Sequence, residues 1–87
     1  MTEHHKVILL TIEEAGAQVT VGYLANKLKL PHSAVMQAAL ELSHKKMVNN
    51  SSTLHIDDSG KEYRTFVYRI KPRGREMCQR LRAGWKE

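Results

Sequence analysis

The chain has 87 residues, 41% hydrophobic and 26% charged, with a net charge of +5 and a pI near 9.6. These values describe an ordinary globular chain, not a disordered or multidomain one, since cores split only beyond about 250 residues and disorder needs low hydrophobicity. The longest apolar run, Val7 to Leu10, is too short to cross a bilayer, and residues 1–16 lack a signal-peptide core. A cytoplasmic protein with no membrane partner is expected.

Residues 1–87 are expected to form one domain. Residues 3–15 read as a first helix, with Thr2 as N-cap, an apolar face of Val7, Ile8, Leu10, Ile12 and Ala15, and Gly16 as a left-handed stop. Gln18-Val19-Thr20 alternates like a very short strand. Thr20 then caps a second helix over 21–29, with Val21, Leu24, Ala25 and Leu28 on one side. Pro31 opens a third helix over 32–46, whose inward stripe is Val35, Ala39 and Leu42, flanked by Ala38 and closed by Met47.

After Val48, Asn49-Asn50-Ser51-Ser52 reads as a break of the helix. A hairpin over 53–70 follows, with strands Thr53–Ile56 and Tyr63–Ile70 rich in β-branched and aromatic residues. Asp57-Asp58-Ser59-Gly60 is the turn between them, because Asp side chains bond the following backbone and Gly takes positive φ. Pro72 opens a last helix over 72–85, with Met77, Cys78, Leu81 and Trp85 as its stripe. Gly74 and Gly84 are expected to weaken that helix by roughly 1 kcal/mol each relative to Ala.

Charge is unevenly spread. Residues 1–60 hold five Lys against six acidic residues, a net of −1, while residues 61–87 hold nine Lys or Arg against three Glu, a net of +6. Such a basic segment suits a polyanion partner. Phosphate contact is expected from Lys61, Arg64, Arg69, Lys71, Arg73 and Arg75, and from Lys29 and Lys45 at the ends of the second and third helices. A solvated surface would explain the latter two nearly as well.

The stretches "TVGYLANKLKLPHSAVMQAALELSHKKMV" and "YRIKPRGREM" resemble the winged helix-turn-helix family, in particular small MarR- and PadR-type regulators. The resemblance runs from Val7 to Leu81. It implies an α+β fold with a three-helix core, a short strand, a two-stranded wing and a C-terminal helix. It also implies a regulator that binds double-stranded DNA with the third helix in the major groove and the wing on the flanking backbone.

Carried over, the groove-facing residues are His32, Ser33, Met36, Gln37 and Leu40. Only Gln37 is a good base reader, since its amide can grip adenine with two bonds. Met36 and Leu40 suit thymine methyls or a protein surface, so a winged-helix module for protein–protein contact is the rival expectation. RNA binding through the hairpin is a weaker third. Asp57 and Asp58 at the wing tip depart from the family, because they repel phosphate.

A homodimer is expected, through Met77, Leu81 and Trp85, although the same stripe would serve an intramolecular core. No cofactor and no metal are expected: no two of His4, His5, His32, His44 and His55 stand at a ligand spacing on one helix. Cys78, the only cysteine, leaves no disulfide and fits better as a small apolar residue than as a redox switch. No phosphate loop or nucleophile elbow is present, so no enzyme is expected.

Overall fold

A computed structural model describes residues 1–84. The elements are α1 (Glu3–Ala15), β1 (Val19–Thr20), α2 (Val21–Leu28), α3 (His32–His44), β2 (Val48–Ile56), β3 (Glu62–Ile70) and α4 (Pro72–Arg82). Three helices pack under a three-stranded antiparallel sheet of order β1-β3-β2, and α4 returns against α1. This is the expected α+β arrangement.

Local chemistry sets most boundaries. The Thr2 hydroxyl accepts the His5 N–H, and Gly16 closes α1 at φ +68°. The Thr20 hydroxyl accepts the Tyr23 N–H at 3.0 Å and starts α2. Lys29 stands outside α2 in the left-handed region at φ +56°, so that helix ends one residue before the expected 29. Pro31 is extended, at ψ 147°, and precedes α3 as its N-cap instead of opening it from within. At the far end α3 stops at His44, because the chain turns at Lys46, φ +64°, to feed β2.

Two larger corrections concern the sheet and the last helix. Asn49–Ser52 lies outside the helix as expected, but it is strand: β2 starts at Val48, not Thr53, and pairs one-to-one with β3 from Val48↔Ile70 to Ile56↔Glu62. Asn and Ser disfavour strands alone, but pairing with the strongly β-prone Phe66–Ile70 overrides them. α4 ends at Arg82, with Gly84 at φ +86°, so the expected extension to 85 does not occur within the described residues.

The core holds Ile8, Leu9 and Ile12 of α1, Leu24 of α2, Val35, Ala39 and Leu42 of α3, Val48 and Tyr68 of the sheet, and Cys78 of α4. The α3 stripe is as read from sequence. For α1 the buried line is His5, Ile8, Leu9 and Ile12, a truer helical spacing than the one expected. Leu9 is fully buried, whereas Ala15 is exposed. Gly74 is buried at the start of α4, against Met47 in the connection between α3 and β2. A Cβ there would overlap the Met47 carbonyl oxygen and stand 2.9 Å from the Ile70 side chain. Its glycine is therefore a packing requirement, not the weakness expected from helix propensity.

Candidate nucleic-acid interface

The α3 stripe that enters the core leaves the opposite side of the helix free. His32, Ser33, Met36, Gln37 and Leu40 are all exposed there. Residues 50, 66 and 68 of the sheet face the same side, and an apolar cleft of about 250 Å³ opens between them, lined by Met36, Gln37, Leu40, Asn50, Phe66 and Tyr68. A larger hollow of about 500 Å³ lies where the N-termini of α2 and α3 approach the wing, with Thr20, Gly22, His32, Met36 and Arg64 on its walls. Helix N-termini present free N–H groups and a positive dipole end, which suit an anionic oxygen.

The wing is a regular hairpin. His55 and Tyr63 stack at its end, ring centroids 5.6 Å apart. At the tip Asp57 accepts the Ser59 N–H at 3.0 Å, the Ser59 hydroxyl at 2.6 Å and the Lys61 N–H at 2.9 Å. These bonds, the Ser59 hydroxyl foremost, hold the Asp57 carboxyl below its usual range. Its charge is thus spent largely on the turn. Asp58 carries no such bonds among the described residues.

The cations expected to contact phosphate are spread over several faces. Arg64 stands beside α3, and donates to the Ser52 hydroxyl at 3.4 Å. Lys29 is exposed in the α2–α3 turn and Lys61 at the wing tip. Arg69 and Arg75 share a hollow with Gly16–Gln18, at the end of α1. Arg73 lies on the outer side of α4 with Met47, Glu76 and Met77. Lys71 is half-buried. Lys45 neighbours the chain's N-terminal amine, which is held below its usual value by desolvation and then by Lys45 and Lys6. Arg82, at the end of the basic stretch, is ion-paired to Glu13, with Glu14 at 3.9 Å.

Sequence reasoning missed one tie to α3. His5 is buried, and its Nδ1 accepts the Thr2 N–H at 3.0 Å, completing a capping box. Nδ1 therefore carries no proton, and Nε2–H donates to Glu41 of α3 at 2.7 Å. Gln37 lines the groove beside this pair, one turn from Glu41. The usual capping-box signature asks for Glu or Gln three residues after the cap. A His in that slot gives no such signal.

On α4, Cys78 is fully buried and its thiol faces the Leu9 carbonyl at 3.8 Å. Burial first, and then Glu13, push that thiol up to about 11, which leaves it protonated and inert. Met77 packs against its own core and Leu81 is half-buried. Trp85, the third residue expected at a dimer contact, lies outside the described residues. Among the described residues no group of three His, Cys, Asp or Glu stands together as a metal site. No helix among them is long and apolar enough to cross a membrane.

Solved structures superpose closely on this chain. Lactococcus lactis ZitR, a zinc-responsive MarR family member, matches over 95% of this chain and 52% of its own, with TM-score 0.70 and 18% identity. AF1382 from Archaeoglobus fulgidus matches over 95% and 85%, with TM-score 0.72 and 27% identity. The fold is a winged helix-turn-helix. A possible transcriptional regulator from Methanosarcina mazei shares this winged-helix architecture, at TM-score 0.65 and 22% identity over 98% of this chain and 70% of that one. A cysteine variant of ZitR in complex with DNA matches at TM-score 0.69 and 17% identity, over 95% of this chain and 51% of its own. The winged helix described here spans about half the length of ZitR. No protein-family model matches the sequence, and no curated protein does.

Proposed function

We propose that this protein binds double-stranded DNA and regulates transcription, as a homodimer, with α3 in the major groove. One observation carries the reading. The five outward residues of α3 are free of the core, and two of them, His32 and Met36, line a hollow with the N-terminus of α2 and Arg64, an arrangement that admits a duplex edge and its phosphates. The net charge of +5 favours the same partner, and ZitR, of similar fold, has been solved on DNA.

Gln37 is the base reader, with Met36 and Leu40 against thymine methyls and His32 and Ser33 at the entry of the helix. Arg64, Lys29 and Lys61 contact phosphate. Arg69, Lys71, Arg73, Arg75 and Lys45 add to the attractive field from other faces.

A mobility-shift titration on random duplexes, followed by selection of the bound sequences, tests this. If about four phosphates are neutralised, log K falls with log salt at a slope near −4. Gln37→Ala is expected to relax sequence preference, while Arg64→Ala weakens all sequences alike and reduces the slope by about 1. Binding that ignores both salt and Gln37 overturns the reading.

The apolar cleft beside Met36 and Leu40 favours a second reading, in which that face holds a protein. It predicts little duplex affinity at ~150 mM salt and a partner contact that Leu40→Asp abolishes.

A further inference from the structure

β2 is an edge strand: β3 pairs with one side, and among the described residues no strand pairs with the other. Folded proteins usually blunt such an edge with lysine, proline, a bulge or shortness, because unpaired N–H and C=O groups invite another strand. β2 has none of these. It runs nine residues, VNNSSTLHI, without Lys, Arg, Asp, Glu or Pro, and its register with β3 is unbroken. The Asp57 N–H donates to the Lys61 carbonyl. Bonding alternates along an antiparallel ladder, so Val48, Asn50, Ser52, Leu54 and Ile56 turn their N–H and C=O groups to the open edge.

We propose that this edge pairs with the same edge of a second copy, antiparallel about a two-fold axis at Ser52. Three observations select that occupant. In this register every outward residue meets an outward residue: Ser52 meets Ser52, Asn50 meets Leu54, and Val48 meets Ile56. Each such pair exchanges two main-chain hydrogen bonds.

Leu54 and Ile56 are 59% and 64% exposed. They share a face with Asn50 and Val48. The pairing brings Leu54 of the second copy beside Asn50, at the rim of the apolar cleft formed by Met36, Leu40, Phe66 and Tyr68. That removes apolar surface from water on both copies.

The charges also match. Beyond the paired residues, the wing tip with Asp57 and Asp58 comes level with Met47 and Lys46 of the second copy. Asp58 and Lys46 are both exposed and have no oppositely charged partner among the described residues of their own chain. The acidic tip, unsuited to phosphate, thus acquires a cation. A foreign strand would satisfy the edge but not this reciprocal match of charge and apolar surface.

The pairing does not rest on the DNA reading, and its test needs no DNA. Sedimentation of the full chain over a concentration series measures the dimer. Ser52→Pro removes an N–H that β3 does not use, and is expected to raise the dimer dissociation constant at least about tenfold. Circular dichroism and the melting temperature verify that the variant is folded. Asp58→Lys and Lys46→Glu are each expected to weaken the dimer several-fold, and the double variant to restore it. If Ser52→Pro unfolds the chain, the charge swap decides alone.

A chain that stays monomeric throughout the series overturns the proposal. So does a dimer insensitive to these β2 and charge variants but lost in Leu81→Ala, which would put the contact on α4. Weakening by the single charge reversals without rescue in the double variant overturns it as well.

Discussion

At Gly74 two physical effects oppose each other, and their magnitudes decide the outcome. Alanine would gain about 1 kcal/mol of helix propensity, but its methyl would overlap the Met47 carbonyl and crowd Ile70. Backbone does not yield as a flexible side chain does, and overpacking of this kind costs about 1–3 kcal/mol. Gly74→Ala is therefore expected to lower stability, by up to about 2 kcal/mol net, read as a lower urea midpoint at unchanged slope. An unchanged or raised midpoint would show that α4 can slide away from Met47. Arg64 and Arg69 differ for a similar reason of place. Both are exposed arginines of β3, yet Arg64 stands at the α3 hollow and Arg69 at the end of α1. In the DNA assay Arg64→Ala is accordingly expected to cost more affinity than Arg69→Ala.

Among the elements, α3 owes its placement to more than its apolar stripe. The stripe fixes depth, since Val35, Ala39 and Leu42 are completely buried, but a stripe alone allows sliding along the axis. The His5–Glu41 bond pins α3 to the N-terminus of α1, whose own first turn the same ring helps cap. His5→Ala removes both contacts and is expected to destabilise the chain by about 1–2 kcal/mol. If the DNA reading is right, it should also weaken binding with Gln37 intact. His5→Gln, which retains a polar group in the capping-box slot, should recover part of the stability. α4 is held by Cys78 against α1 and by Arg82 on Glu13. Glu13 is thus an anchor, although its place beside Glu14 at a helix end reads as ordinary surface charge.

For the molecule as a whole, burial makes stability depend on pH at the alkaline end. It raises the Cys78 thiol from 9.0 to about 11 and raises the Tyr68 phenol as well. The unfolded chain releases these protons at lower pH than the folded one. Their contribution is therefore complete below about pH 9 and is lost as pH rises through the folded values. Urea midpoints measured at about pH 8 and about pH 10.5 should fall on going up, and Cys78→Ala should flatten part of that fall. A midpoint that holds steady would mean that both groups titrate normally and are not shielded as described.

The same division separates what was legible in the residues from what was not. Periodicity, caps and turn chemistry determined the order of elements: Thr20 and Pro72 start helices, Gly16 stops one, and Asp57–Gly60 turns a hairpin. These are interactions within a few residues, so the sequence holds both partners. The free face of α3 was legible too, as the complement of its buried stripe. Contacts between segments distant in the chain were decided only by tertiary structure. Asn49–Ser52 became strand because β3 lay alongside, and Gly74 became indispensable because Met47 lay beneath it. His5 found Glu41 thirty-six residues away, and one run of basic residues was divided among several faces by a strand, a turn and a helix. No local pattern encodes where such segments meet, since that depends on how the whole core closes.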